Sequence, residues 1–138
     1  ALGASEIIAR DDLARKSKPL EKEVWAAVVD SVGSTTLGTA LAQTKYNGII
    51  AACGLAAGVD MPTTVLPFIL RNVRIQGVDS VMAPMSLRER AWSDLASLLD
   101  TSLLSDVYRI EPMSDIKTLA PAILRGEIKG RVVIDVNA

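Results

Sequence analysis

The sequence contains no histidine, a single cysteine and few aromatic residues. Without imidazole there is no Ser-His-Asp or Cys-His triad and no histidine-bound metal. One thiol, Cys53, can form neither an internal disulfide nor a multi-thiolate zinc site, and it fits a reducing compartment. With aromatics at 4% against 49% hydrophobic residues, the core has to be aliphatic. Fifteen Lys and Arg against sixteen Asp and Glu leave a net charge of −1, which carries no basic footprint for nucleic acid. The longest uncharged apolar run, residues 49–59, has 11 residues and includes Gly54 and Gly58, too short to span a bilayer. No charged segment precedes an apolar one at the start, so no export signal is visible. Neither G-x-G-x-x-G nor a Walker loop occurs. A hydrolase of the triad or zinc type is excluded, and the expectation is a soluble cytoplasmic α/β protein.

What is present is an alternation of short aliphatic runs with helical patterns, in a length that by itself predicts one domain. Glu6–Ala9 reads as a short strand, and Pro19 can open a helix with Glu21 and Glu23 in its first turn. Trp25–Asp30 reads as a buried strand ending in Ser31-Val32-Gly33. Residues 35–45 read as a helix with Leu37, Ala40 and Leu41 inward, closed by Asn47-Gly48. Ile49–Cys53 is a continuous apolar strand that breaks at Gly54. Thr63 or Thr64 caps a helix to about Asn72, and Val73–Val78 follows as a strand. Ser86-Leu87-Arg88-Glu89 has the form of a capping box ahead of Leu87, Ala91, Leu95, Leu98 and Leu99 at helical spacing. Residues 107–110 and 131–136 are strands around a helical face over 116–124. Pro121 inside that face predicts a kink or a late start.

Continuous apolar strands alternating with helices predict a doubly wound parallel sheet, whose ligands bind beyond the carboxyl ends of the strands. That rule selects the turns Ser31-Val32-Gly33, Gly54-Leu55-Ala56 and Val78-Asp79-Ser80. Each candidate there has an ordinary structural role. Glycines in 54–58 let a ligand approach the backbone, but they also make plain tight turns. Cys53 without a cationic neighbour reads as a small buried apolar residue. Asp30 and Asp79 could act as acid or base, yet turn bonding is the commoner role at strand ends. Arg71, Arg74 and Arg131 could pair with phosphate, or be surface side chains. Trp25 and Trp92 fit core packing. By residues alone, the reading stops at a nucleotide-sized crevice without a phosphate motif.

Three blocks carry a more specific resemblance. They are residues 25–33, residues 52–58, and the ungapped stretch Thr63-Thr64-Val65-Leu66-Pro67-Phe68-Ile69-Leu70-Arg71-Asn72-Val73-Arg74-Ile75-Gln76-Gly77-Val78-Asp79-Ser80. They resemble the acrylyl-CoA reductase / quinone oxidoreductase family, in the zinc-independent branch of the medium-chain dehydrogenase/reductase superfamily. The resemblance runs from Leu2 to Val136.

It implies a C-terminal fragment of a longer enzyme. Residues 1–102 would be the later βα units of a Rossmann-like domain. Residues 103–138 would be a segment returning to a GroES-like catalytic domain that is otherwise absent. Gly3 then reads as the end of a helix whose body lies upstream, and the glycine-rich first βαβ turn, the residues that choose NADPH over NADH and the catalytic-domain pocket would lie upstream with it. The implied cofactor is NADPH. Ser31, Val32 and Gly33 resemble the loop beside the adenosine ribose. Cys53, Gly54 and Leu55 resemble the loop against the nicotinamide. Val78 and Asp79 match positions meeting the carboxamide, and Arg131 matches a basic position reaching the pyrophosphate. No catalytic residue and no metal ligand is implied here. The activity implied is reduction of an activated C=C bond in acrylyl-CoA or a related enone, with a quinone as the alternative acceptor. Partners would be that small-molecule substrate and a second copy, joined as a homodimer through the edge strand Val73–Val78. A non-catalytic nucleotide-binding or dimerisation domain is the competing reading.

Overall fold

The computed structural model describes residues 3–138. Where length alone pointed to one domain, the chain gathers into two compact units, Gly3–Met85 and Ser86–Ala138.

The first unit opens with a single helical turn, α1 (Arg10–Leu13), and continues through β1 (Trp25–Asp30), α2 (Ser34–Ala42), β2 (Thr44–Ala52), α3 (Leu66–Arg71) and β3 (Arg74–Gly77). The strands form a parallel sheet in the order β1-β2-β3. Parallel strands need crossovers, and α2 and α3 supply them. The register places Val28 opposite Ile50 and Ile50 opposite Ile75. These side chains meet Leu37 and Leu41 of α2, with Val73 and Phe68 completing the cluster. Leu41 and Ile50 are fully buried, each contributing about 1.5–3 kcal/mol relative to exposure. The inward face expected for Leu37, Ala40 and Leu41 is therefore the observed one.

Other expectations are corrected. Glu6–Ala9 joins no ladder among the described residues, because no strand lies beside it. Pro19 opens no helix. The backbone donors of this segment are spent elsewhere, with Glu21 N bonding Ala42 O and both Val24 N and Trp25 N bonding Gln43 O. The strap is tied to the end of α2 instead. Glu21 accepts both terminal guanidinium nitrogens of Arg15 (2.8 and 2.6 Å), the Lys18 N–H and the Gln43 amide. The Arg15 hydrogen bonds are the main reason its carboxyl is lowered to about 2. Trp25 is half-buried and donates Nε1 to the Gln43 side chain. β1 is not buried throughout, since Val29 on the face away from the core is 81% exposed.

The second unit holds α4 (Met85–Leu98), β4 (Tyr108–Pro112), α5 (Ile116–Leu124) and β5 (Arg131–Asp135), with β4 and β5 paired in parallel. α4 begins at Met85, which puts Ser86 inside the helix rather than at its cap. None of its residues is buried, and Trp92 is exposed rather than in a core. α5 starts at Ile116 and runs through Pro121, so the late start does not occur.

Candidate functional site

The register of the sheet assembles the site. Asp30 pairs with Ala52, and Ala52 with Gly77, so the three strands of the first unit end in one row. Whatever follows these residues leaves from the same edge. The turns carrying Ser31, Val32 and Gly33, then Cys53, Gly54 and Leu55, then Val78 and Asp79, are thereby brought together at the carboxyl ends of the strands. Arg131 stands in the other unit, opening β5, where its N–H donates to Val107 O.

The first two turns lie directly on each other. Cys53 N donates to Asp30 O (2.8 Å), Ala57 N to Val32 O (2.8 Å) and Ala56 N to Ser31 O (3.3 Å). Gly33 and Gly58 add an isolated parallel bridge. Glycine is required by this closeness. A Cβ on Gly54 would stand 2.5 Å from Ser31 O, and one on Gly33 would stand 2.6 Å from Gly58 O. Gly33 also has φ +71°, a conformation that side chains disfavour.

Both aspartates do turn work. Asp30 is buried and its Oδ2 accepts the Gly33 N–H at 2.9 Å. Asp79 Oδ1 accepts the N–H groups of Val81 and Met82. Cys53 is exposed rather than buried, with Sγ donating to Asp30 O at 3.2 Å. The strand ends at Ala52, one residue earlier than its apolar run, and this puts the thiol at the rim.

Two clefts border these turns. An open one of about 490 Å³ is lined by Ala52, Cys53, Gly54, Leu55, Gly77, Val78 and Asp79. Its floor is largely backbone and small side chains, and a Cβ on Gly77 would meet nothing within 4 Å. The other, of about 300 Å³, includes Ile8, Arg10, Leu13, Val32, Thr36 and Ala57 in its walls. Periodicity gave no warning of this second cleft, because its walls are α1, the N-terminal end of α2 and the loop after β2.

Arg71 is neither a surface residue nor a phosphate ligand. Its guanidinium, 14% exposed, donates to the carbonyls of Ala42, Thr44 and Glu21 and pairs with Glu23 at 3.5 Å. Among the described residues no group of His, Cys, Asp and Glu could hold a metal ion. No helix there is long and apolar enough to cross a membrane.

No protein-family model matches the chain. It is similar to the Probable acrylyl-CoA reductase AcuI of Escherichia coli K12, at 48% identity over 99% of this chain and 42% of that protein. It is 47% identical to the acrylyl-CoA reductase AcuI of Ruegeria pomeroyi, over 100% of this chain and 42% of that one. Among solved structures, E. coli K-12 YhdH with bound NADPH superposes at a TM-score of 0.91 and 48% identity, over 98% of this chain and 42% of the other. Bacillus subtilis YhfP with NAD bound superposes at 0.87 and 37% identity, over 97% and 41%. The chain thus spans about two fifths of the length of the curated relatives it matches.

Proposed function

We propose that these residues are the later part of the nucleotide-binding domain of an NADPH-dependent reductase of activated C=C bonds, together with a segment of its catalytic domain. The observation that carries this reading is the row Asp30, Ala52, Gly77, which gathers three backbone-rich turns at the carboxyl ends of parallel strands, two of them lining one open cleft. That is where an open α/β sheet takes its ligand. The 48% identity to a protein solved with NADPH supports the choice of nucleotide. In this reading residues 1–102 belong to the nucleotide-binding part and 103–138 to the catalytic-domain segment.

The clefts fit the two ends of such a nucleotide. The open cleft along Cys53, Gly54 and Leu55 admits a flat ring and ribose against main chain, with Val78 and Asp79 at its edge. The apolar cleft beyond Ser31, Val32 and Gly33 fits an adenine between Ile8, Leu13 and Val32. Bound NADPH would supply a hydride to the β-carbon of a substrate such as acrylyl-CoA, and a proton taken up at the α-carbon would complete the reduction. The residues of this chain contribute binding and orientation. Asp30 holds the turn that receives the adenosine end, its Oδ2 fixed by Gly33 N–H. The Cys53 N–H to Asp30 O bond fixes the nicotinamide side to the same strand end. Arg131 is assigned to the pyrophosphate. No residue here is assigned a proton-transfer role, and no zinc is required.

A homodimer through β3 and a cytoplasmic location belong to the same proposal. β2 covers one edge of β3 and, among the described residues, nothing pairs with the other. A bare edge is an association surface.

The decisive experiment follows NADPH oxidation by the intact gene product that carries these residues, with acrylyl-CoA, a simple enone and a quinone as acceptors. Acrylyl-CoA or enone reduction is expected, and preference for the quinone would favour the alternative acceptor. Failure to bind NADPH in calorimetry would overturn the proposal in favour of a non-catalytic domain. The 138 residues alone, which contain no glycine-rich phosphate turn, are expected to bind NADPH weakly or not at all.

A further inference from the structure

A third cleft, of about 300 Å³, lies within the first unit and shares no lining residue with the two beside the turns. One wall is residues 16–19 of the strap, and the other is residues 62–64 of the loop leading to α3. Both walls are fixed to α2. Buried Thr39 donates Oγ1 to Arg15 O at 2.9 Å and Glu21 N bonds Ala42 O, so the strap is anchored on either side of its cleft residues. Pro62 lies so near the helix that a Cβ on Gly38 would stand 2.7 Å from its carbonyl oxygen. These contacts shape the cleft without any ligand.

The charge on its lining is of one sign. Lys16 and Lys18 line it and no Asp or Glu does, and neither ammonium makes a hydrogen bond or ion pair with any described residue. The nearby carboxylate of Glu21 is taken up by Arg15, the Lys18 N–H and Gln43. The Ser17 hydroxyl has no partner among the described residues. Thr64 Oγ1 accepts the Leu66 N–H at 3.3 Å and keeps its own O–H to donate. Two ammoniums and two hydroxyl donors with no carboxylate among them suit an anion. A phosphomonoester dianion carries the matching charge, and lysine binds phosphate as a point charge. Pro19 and Pro62, one on each wall, offer apolar surface to the organic group that carries the phosphate. We propose that this cleft is a binding site for a small phosphomonoester, held by Lys16, Lys18, Ser17 and Thr64. A free organophosphate and the 3′-phosphate end of a coenzyme A ester share that chemistry.

The test titrates the intact gene product by calorimetry at fixed ionic strength, with NADPH saturating so that the other clefts do not compete. The probes are glycerol 3-phosphate, 3′,5′-ADP as the phosphorylated end of coenzyme A, and sodium chloride. Wild type should bind a phosphomonoester with a Kd of roughly a millimolar or tighter and show no saturable response to chloride. Replacing both lysines together, Lys16→Gln with Lys18→Gln, should weaken it about tenfold or more, through loss of two charge-assisted hydrogen bonds. Ser17→Ala should weaken it about two- to tenfold. NADPH affinity and the phosphate-free melting temperature should stay at wild-type values, because the two ammoniums and the Ser17 hydroxyl hold nothing in the fold. Tighter binding of 3′,5′-ADP assigns the site to a coenzyme A ester, and the double variant should then raise KM for acrylyl-CoA but not for a simple enone. Tighter binding of glycerol 3-phosphate assigns it to a free organophosphate. Binding of neither probe, or binding that the double variant leaves intact, would overturn the proposal. Failure of the wild type to bind NADPH would strike the cofactor reading and leave this site standing.

Discussion

Gly54 follows β2, Gly77 ends β3 and both line the same cleft, yet a methyl group should have opposite consequences at each. On Gly54 it would stand 2.5 Å from Ser31 O and 3.0 Å from Ser31 C and Cα, all main-chain atoms that no rotamer change can move. Restoring ordinary contact near 3.4 Å requires the two turns to part by about 1 Å. The bonds at stake are Cys53 N to Asp30 O and Ala56 N to Ser31 O. Overpacking of this kind costs about 1–3 kcal/mol. Losing one of the two bonds alone would account for about 0.5–1.5 kcal/mol of that. On Gly77 the methyl meets nothing within 4 Å, and the strand backbone accepts it. Gly77→Ala should therefore be neutral or stabilise by up to about 1 kcal/mol through the unfolded chain. Urea unfolding of both variants measures the contrast. Calorimetry with NADPH should show a further tenfold or greater loss for Gly54→Ala, because the displaced turns form the nucleotide's floor. Wild-type stability and affinity in Gly54→Ala would refute the claim that backbone contact between the turns builds the site.

Glu21→Gln keeps the shape of the strap but removes the charge that Arg15 holds. The folded carboxyl is lowered to about 2 from an ordinary 4.5, so its contribution is complete above pH 4.5 and lost as pH falls toward 2. Because Arg15 is 42% exposed, solvent screening reduces the gap at neutral pH to about 1–2 kcal/mol. Denaturant melts of wild type and variant should converge near pH 2, and a gap independent of pH would reject the assignment. The dimer proposal is checked on β3. Val78 N donates to Ala52 O, so alternation along the strand points the Ile75 N–H to the open edge. Ile75→Pro should then convert dimer to monomer in sedimentation, with circular dichroism confirming that the sheet persists. An unchanged dimer would place the interface elsewhere.

Much of this molecule is local and was legible residue by residue. Strands at Trp25–Asp30, Arg74–Gly77 and Arg131–Asp135, and the inward face of Leu37 and Leu41, follow from apolar spacing and turn residues that act over a few positions. The aspartates at strand ends behave as turn formers for the same reason. Local pattern failed where a segment's partners are distant in the chain. Glu6–Ala9 has strand-like residues but no neighbouring strand, and the strap after Pro19 gives its donors to α2 instead of to a helix of its own. Arg71 looked like a surface cation and is closed in by carbonyls 27 to 50 positions away. The same limit governs the site. The sequence by itself determined an aliphatic, metal-poor α/β chain with three turns suited to a ligand. The folded chain added that Gly54 rests on Ser31, that Cys53 faces outward, and that Arg71 is closed in by carbonyls. Those facts depend on strand register and on which groups are already satisfied, and both are set by contacts between residues far apart along the chain.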